Sequence, residues 1–288
     1  MGTGKRLFLF DLDGTLLRSD KTISKKTLVE VKKLRGRGNI VGISTSRSEQ
    51  NCKSFFGEFR PDIMVVSGGA LVKKGNDYIF NAVFSKERTR NLIRTARKVC
   101  GTSCEITIDT IDKHYWNYKV DPKKQDQSWG DSIWTDFSDF DEEALKMCVE
   151  IFEEETAERL ADALQDCDAV RFSDGFWYKY TKKGVTKEDS IRVVCDACGL
   201  SVDDIIAFGD DYADIGMLKM AGIGVAMGNA IEEVKKVANI VIGTNDEDGI
   251  ADYLKNFNKL MSKCQKCWRH LNDGWNKGKN RIKTCTPG

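Results

Sequence analysis

The stretch that most constrains the fold is Leu7 to Leu16, which reads LFLFDLDGTL. Its first four residues form a continuous apolar run, which is typical of a strand buried on both faces of a sheet. The run ends abruptly at Asp11 and Asp13. Carboxylates at the end of a buried strand are costly unless a cation pairs with them, and in open α/β sheets ligands bind outside the carboxyl ends of the strands. We therefore expect a cation, an anionic substrate or both here, although a simple Asp-Gly turn would also explain the motif.

Alternating strands and helices are predicted on either side of a central segment. This order predicts an α/β fold with a doubly wound, Rossmann-like parallel sheet and right-handed crossovers. Small polar residues follow the strands, and together they would build one rim of the sheet. The predicted strands are Leu7–Phe10, Asn39–Ile43, Asp62–Val66, Asp204–Phe208, Gly224–Met227 and Ile240–Ile242.

The pattern changes near Asn81, where the strand–helix alternation stops. Up to Thr181 it is α+β and rich in aromatic residues, and the alternation then returns. We predict a core domain made of residues 1–81 and 182–260, with an inserted α+β domain at residues 82–181.

Two segments lack a regular apolar pattern. The segment from His114 to Phe140 is predicted to be an irregular, aromatic-lined surface with Trp116, Trp129 and Trp134. Residues 261–288 are predicted to be a basic tail, disordered or docked on a partner. Zinc is an alternative for this tail, and its ligands would be Cys264, Cys267, His270 and Cys285.

The charge balance bears on possible partners. The net charge is +1, from 45 Lys and Arg against 44 Asp and Glu. This gives no electrostatic reason to bind nucleic acid or an anionic membrane. No apolar run approaches the ~20 residues that span a bilayer, and a signal-peptide pattern is lacking. We expect a cytoplasmic protein with neither a nucleic-acid nor a membrane partner.

The 10 cysteines do not indicate a disulfide framework. Most, such as Cys52 and Cys148, lie in apolar patterns, where a cysteine in a reducing compartment is usually a small core residue. Cys195 and Cys198 form a CxxC in a predicted helix that lacks the context of a redox motif. We expect core positions for them too.

Residues suited to phosphoryl transfer follow the predicted strands or begin a predicted helix. Mg²⁺ prefers oxygen ligands and commonly binds through one or two carboxylates plus a substrate phosphate. A lysine and the ion neutralise phosphoryl oxygens, one carboxylate can be the nucleophile, and a second can act as acid and base. If the strands are neighbours, the residues that meet at one rim are Asp11, Asp13, Thr45, Lys187, Asp210 and Asp214.

Several of these residues have a plain structural alternative. Thr45 and Asp214 could each cap a helix, and Lys187 could be a solvated residue at a helix start. Arg47 fits either a contact with the phosphate or a surface salt bridge.

Four motifs, in order, carry a resemblance to a known family. They are DLDGT at Asp11–Thr15, STSR at Ser44–Arg47, GVTK at Gly184–Lys187, and GDDYAD at Gly209–Asp214 followed by GIGVAMGNA at Gly222–Ala230. The sequence resembles a haloacid dehalogenase superfamily hydrolase of the Cof-type, sugar-phosphatase-like branch, over nearly the whole chain to about Leu260. The resemblance implies an α/β core with an inserted α/β cap.

The resemblance also implies roles for the carboxylates. Asp11 would be the nucleophile and a Mg²⁺ ligand, and Asp13 would be the acid/base and bind the ion through its backbone carbonyl. Asp210 would be the third protein ligand, with Asp214 supporting it or the metal-bound waters.

The phosphate would be held by Thr45 and Lys187, and the inner face of the mobile cap would select the substrate. The reaction implied is Mg²⁺-dependent hydrolysis of a small phosphorylated metabolite through an aspartyl-phosphate. Which metabolite this is, and the oligomeric state, stay open.

Two departures from the family pattern keep alternatives open. Ala213 stands where the fourth motif usually has Asn, and Ser46 stands where the branch often has Gly. Ala213 puts the catalytic efficiency in doubt, and a protein that binds a phosphometabolite without turnover is therefore an alternative. A phosphomutase is a further alternative, whereas Asp13 argues against a dehalogenase, which needs no acid for an ester oxygen.

Overall fold

Strands and helices alternate as expected and form two sheets, each with its own hydrophobic core. The computed structural model describes residues 5–121, 124, 132–173 and 175–263. The described strands are β1 (Leu7–Phe10), β2 (Ile40–Ser44), β3 (Ile63–Val66), β4 (Leu71–Lys74), β5 (Asp77–Asn81), β6 (Ile106–Asp109), β7 (His114–Trp116), β8 (Ile133–Trp134), β9 (Lys146–Glu150), β10 (Cys167–Arg171), β11 (Trp177–Lys182), β12 (Ile205–Gly209), β13 (Ile223–Ala226) and β14 (Ile240–Val241).

Helices begin where the sequence places capping residues. Ser24 accepts a hydrogen bond from the amide of Lys26, and Ser48 accepts one from the amide of Asn51. Such caps satisfy amides that a helix leaves free at its start. The described helices are α1 (Lys25–Gly36), α2 (Glu49–Phe56), α3 (Lys86–Cys100), α4 (Glu154–Ala163), α5 (Lys187–Cys198), α6 (Ile215–Met220), α7 (Glu232–Val237) and α8 (Gly249–Lys263).

The first sheet has the strand order β14-β13-β12-β1-β2-β3-β4-β5. Its pairs are parallel from β14 to β3, and β4 and β5 add an antiparallel edge. All residues of β1 are fully buried, as expected for a strand covered on both faces. The register pairs Phe10 with Ile43 of β2 and with Phe208 of β12, so these strands end at one level. The α/β class with a parallel-sheet core is confirmed.

The second sheet has the order β10-β11-β9-β6-β7-β8 and is antiparallel except between β7 and β8. Because alternate residues of a strand face opposite sides, its two faces differ in character. Apolar residues such as Ile108 and Val149 share a core with residues of α3 and α4. The opposite face includes the buried polar residues Thr107, Asp109, His114, Lys146, Lys179 and Thr181.

The polar face of the second sheet lies on loops at the carboxyl edge of the first. The Ser67 hydroxyl, after β3, donates to Asp109 at 2.9 Å. Lys146 Nζ donates to the backbone oxygen of Ser46, after β2, at 2.6 Å. These contacts place the second sheet over the rim where the predicted site residues lie.

One prediction was wrong in part, and another element was not predicted. The segment from His114 to Phe140 is not irregular throughout, since it contains β7 and β8; such short strands show too few alternations to be seen in a sequence. Trp129 lies outside the described residues. The hairpin of β4 and β5 was missed because its outer strand has no fully buried residue.

The last helix among the described residues extends the first core. Helix α8 continues to Lys263, and Met261 packs against the core. The predicted zinc ligands of the tail lie outside the described residues. The described cysteines are free thiols, with Cys195 and Cys198 in α5. None of the described helices combines the length and the apolar character needed to cross a bilayer.

Candidate active site

Three neighbouring strands are each followed by a predicted site residue. Asp11 follows β1, Thr45 follows β2 and Asp210 follows β12. Since the three strands are parallel and end at one level, these residues meet at one rim. The amide of Asp11 donates to the carbonyl of Phe208 at 3.0 Å, which continues the pairing of β1 with β12 up to the site.

An acidic cluster, defined as Asp11, Asp210 and Asp214, forms the centre of the site. Each residue offers a carboxylate oxygen, and these oxygens lie within 4.8 Å of one another. The Thr15 hydroxyl donates to Asp210 Oδ1 at 2.6 Å. Gly14 has a left-handed φ of 70°, and a Cβ there would lie 2.2 Å from Asp210 Oδ2, so only glycine fits. Converging carboxylate oxygens of this kind suit a hard divalent cation.

Lys187 connects two members of the acidic cluster. It is the first residue of α5, and the preceding Thr186 caps that helix by accepting from the amide of Asp189. Its side chain is 2% exposed, and Nζ lies 2.6 Å from Asp11 Oδ1 and 2.7 Å from Asp214 Oδ1. The solvated-lysine alternative is therefore excluded.

Burial and mutual repulsion shift the acidity of these groups. Burial raises the pKa of Asp11 well above its ordinary value, although Lys187 opposes the rise. Burial and the charge of Asp214 raise the pKa of Asp210 to about 8. For Lys187, burial acts to lower the pKa, but Asp11 and Asp214 outweigh it and the pKa is raised. Lys187 alone therefore does not keep the acidic cluster fully ionised, and a divalent cation bound among the carboxylates would favour their charged forms.

Asp214 also organises the loop that carries Asp210. Its Oδ2 accepts hydrogen bonds from the amides of Asp210 and Asp211, at 3.0 and 3.1 Å. With Oδ1 on Lys187, both carboxylate oxygens are engaged. Asp214 is therefore well placed to support Asp210 and to fix the position of Lys187.

Asp13 is held by two cations. Arg47 lies 2.5 Å from one of its oxygens and 2.8 Å from the other, and Lys21 Nζ lies 2.8 Å away. Burial acts to raise the pKa of Asp13, but the hydrogen bonds and charges of Arg47 and Lys21 lower it to about 2. Arg47 is buried, so the surface salt bridge considered from the sequence is excluded.

Thr45 lies beside the loop that follows β3. It is buried, its carbonyl accepts from the amide of Gly68 at 3.0 Å, and its hydroxyl accepts from the amide of Arg47 at 3.2 Å. None of the described residues accepts the proton of this hydroxyl, which remains available to a ligand.

Asn229 is a site residue that the sequence did not single out. Its amide donates to the carbonyl of Gly14 at 2.8 Å, and so it steadies the turn after β1. In the sequence, its place in the stretch GIGVAMGNA could have indicated a role at the site. Its contact with Gly14, however, depends on the packing of β13 beside β12.

The polar face of the second sheet was also missed. Asp109 is fully buried, with His114 Nδ1 at 2.7 Å and Lys146 Nζ at 2.9 Å from its oxygens. Burial acts to raise its pKa, but Lys146 and His114 lower it to about 2. Polar residues at alternate positions of otherwise apolar strands could have indicated this face in the sequence.

The family follows from the sequence as a whole. The sequence model of the haloacid dehalogenase-like hydrolases matches residues 8–254. The chain belongs to this family. The acidic cluster and Lys187 of this hydrolase therefore lie at the carboxyl edge of a haloacid dehalogenase-like core.

Similar proteins cover most of the length of this dehalogenase-like hydrolase. A 5-amino-6-(5-phospho-D-ribitylamino)uracil phosphatase of Bacillus subtilis is 29% identical over 272 residues, covering 90% of the chain and 100% of that protein. A phosphoglycolate phosphatase of Methanopyrus kandleri is 27% identical, covering 86% and 95%. A solved structure of a subclass IIB sugar phosphatase of the superfamily has a TM-score of 0.76 at 24% identity, covering 88% of this chain and 98% of that one. This likeness confirms the fold expected for the Cof-type branch.

Proposed function

We propose that this hydrolase removes the phosphoryl group of a small phosphorylated metabolite, with Mg²⁺ as cofactor and an aspartyl-phosphate on Asp11 as intermediate. It is a phosphoric monoester hydrolase of the haloacid dehalogenase type, in agreement with its family and its phosphatase relatives. The observation that carries the proposal is the contact of Lys187 with Asp11 and Asp214 beside Asp210.

Asp11 is the proposed nucleophile. Its carboxylate forms a bond to phosphorus as the ester P–O bond breaks, and the leaving oxygen takes a proton from Asp13. Asp13 must enter this step protonated, which requires it to be released from Arg47 and Lys21, since these cations hold it ionised in the structure. Water then attacks the phosphorus of phospho-Asp11 and gives its proton to Asp13. Inorganic phosphate leaves, and both carboxyl groups return to their starting states.

Mg²⁺ fits the acidic cluster. The carboxylates of Asp11 and Asp210 and the backbone carbonyl of Asp13 would hold it, with Asp214 in support. The fit is supported by the converging oxygens and by the raised pKa values of Asp11 and Asp210. When bound, the ion would neutralise charge on the phosphoryl oxygens.

Lys187 and Thr45 are proposed to bind the phosphoryl group. An ammonium has three N–H donors, and Lys187 uses two of them on Asp11 and Asp214. The third donor can reach an oxygen of a phosphoryl group attached to or approaching Asp11. The free hydroxyl proton of Thr45 supplies a second contact.

The proposed function also assigns separate roles to two parts of the chain. We propose that residues 1–81 and 182–260 bind the phosphoryl group and that residues 82–181 form a cap over it. This is supported by the separate core of the second sheet and by its polar face over the rim.

The test is release of inorganic phosphate from a panel of phosphorylated sugars, acids and nucleotides, with Mg²⁺ or with EDTA. We expect Mg²⁺-dependent release that falls by at least about 1,000-fold in Asp11→Asn, because the nucleophile is lost. Asp20→Asn, an exposed aspartate of the neighbouring loop, is the matched control and should keep full activity.

Three results would contradict the proposal. Turnover that is unchanged in Asp11→Asn would remove Asp11 from the chemistry. Binding of phosphometabolites with no release of phosphate from any member of the panel would indicate a non-catalytic binding protein, and transfer to a second position of the substrate would indicate a mutase.

A further inference from the structure

Three buried lysines lie close enough for their charges to interact, and they differ in how they are paired. Lys187 pairs with two carboxylates of the acidic cluster, and Lys146 pairs with Asp109. Lys179, at the centre of β11, is 1% exposed, and its side-chain ammonium makes no hydrogen bond or ion pair with any residue that the structure describes.

The environment of Lys179 is unfavourable for a cation. Burial, and repulsion by Lys187 and then Lys146, lower its pKa to about 8, although Cys148 and Glu188 partly oppose the shift. The ammonium is still the main form at neutral pH. A buried, unpaired charge costs free energy that an anion bound beside it would remove.

The position of Lys179 is set by a glycine of the rim. Gly68 follows β3 and has a left-handed φ of 70°, and a Cβ there would lie 2.7 Å from Lys179 Nζ. The amide of Gly68 donates to the carbonyl of Thr45. The ammonium therefore reaches the rim of the first sheet, beside the loop that carries a proposed phosphate ligand.

Lys179 reaches the rim at the end of a different strand from Asp11. Gly68 follows β3, and β2 separates β3 from β1. Two strand spacings amount to about 10 Å. Such an offset suits a group of the substrate other than the phosphoryl group that Asp11 attacks.

We propose that Lys179 binds a second anionic group of the substrate, a carboxylate or a second phosphate on the leaving group. Lys179 is then a specificity-determining residue supplied by the second sheet, and the substrates it favours carry negative charge at both ends. This inference rests on the proposed function, since it assigns the part of the substrate that the acidic cluster does not hold.

The test compares substrates that differ in the second anionic group alone. Phosphoglycolate is paired with ethyl phosphate, and propane-1,3-diol bisphosphate is paired with propyl phosphate, so the two pairs distinguish a carboxylate from a phosphate. We expect wild type to prefer the doubly anionic member of at least one pair. In Lys179→Met that preference in kcat/KM should fall by about 10- to 100-fold, the range for a hydrogen bond to a charged group.

Lys182→Met is the matched control. Lys182 lies on the same strand but on the opposite face, near the ring of Phe84, so the preference should be kept. The ratio of two rates in one protein sample does not depend on how much of the variant is folded. Loss of an unpaired buried cation should also leave the thermal unfolding midpoint of Lys179→Met no lower than that of wild type.

Three outcomes would overturn the inference: no preference in wild type for either doubly anionic member, an unchanged preference in Lys179→Met, or an equal loss on both members of a pair. The last would assign Lys179 to the transferred phosphoryl group. If wild type hydrolyses none of the four, the proposed function fails separately. The inference is then tested by calorimetry, which measures the affinities of Asp11→Asn for phosphoglycolate and for ethyl phosphate, with and without Lys179→Met. A preference for phosphoglycolate that falls with Lys179→Met would support the inference, and an unchanged preference would contradict it.

Discussion

Lys187 Nζ lies 2.6 Å from Asp11 Oδ1, although 176 positions of the chain separate the two residues. The contact joins the start of α5 to the end of β1 in the buried part of the site. The contact contributes to the stability of the fold as well as to the proposed chemistry, because the ammonium balances the charge of carboxylates whose burial is costly. Variants of this pair should therefore change stability and activity together.

Lys187→Met is expected to destabilise the protein. It leaves Asp11 and Asp214 buried without their cation, and removing one partner of a buried pair costs about 3–5 kcal/mol. The measurement is urea unfolding at pH 7 in EDTA. Lys219→Met, at an exposed position of α6, is the control, and its change should stay within about 0.5 kcal/mol. Equal stability of the two variants would contradict the structural role of Lys187.

Gly14→Ala should damage the proposed metal site through a steric clash. The new Cβ would meet the Asp210 carboxylate at 2.2 Å, in a left-handed backbone conformation that disfavours alanine. We expect weaker Mg²⁺ binding and a loss of phosphate release, measured by titrating Mg²⁺ at a fixed substrate concentration.

The matched control for this change is Gly38→Ala. Gly38 also has a left-handed φ, of 82°, but no atom lies within 4 Å of the position of its Cβ. It should lose about 1–2 kcal/mol of stability from the backbone and keep its Mg²⁺ response. A normal Mg²⁺ response in Gly14→Ala would show that Asp210 tolerates displacement.

The sequence located the rim well because local patterns determine it. Asp11, Thr45 and Asp210 each follow a buried apolar run, and parallel strands bring such positions to one edge whatever the detailed register. Lys187 was also predicted to lie at this rim, but the sequence alone left a solvated lysine as an alternative, since a lysine at a helix start looks the same in both cases. The pairing of Arg47 with Asp13 depends on side-chain directions that no spacing reveals.

The polar face of the second sheet could not be predicted for a different reason. Asp109, Lys146 and Lys179 come from three strands that are neighbours in the sheet but far apart in the chain. Their proximity depends on the register of distant antiparallel pairs, and a shift of one residue would move each to the other face. Alternation indicates a polar face but does not show which polar residues meet on it.

Asp109 should contribute to stability in a defined pH window. Its pKa in the folded protein is about 2, below the ordinary value of 3.8, because Lys146 and His114 outweigh burial. A lowered pKa stabilises the fold above the unfolded value, and this contribution is lost as the pH falls from about 4 to 2. It amounts to about 2 kcal/mol.

The measurement is the free energy of unfolding in urea at several pH values between 2 and 6. Asp109→Asn should be less stable than wild type at pH 6, and the difference should shrink toward pH 2. Asp139→Asn, at an exposed position of the same part of the chain, should follow the wild-type curve throughout. A constant difference between Asp109→Asn and wild type would show that the charge of Asp109 is not what stabilises the contact between the sheets.

Thr45→Val tests whether the Thr45 hydroxyl binds the phosphoryl group or only shapes the loop. Valine keeps the volume but loses the acceptor for the Arg47 amide, at a cost of about 1 kcal/mol. Thr89→Val removes a buried hydroxyl with comparable bonds in α3, to the carbonyl of Ser85 and from the amide of Ala144, and should cost about as much stability. Only Thr45→Val should lower kcat/KM, by about 10- to 100-fold, because a donor to a charged oxygen is lost. Thr45→Ser should restore most of the rate, and a wild-type rate in Thr45→Val would leave Thr45 with a structural role alone.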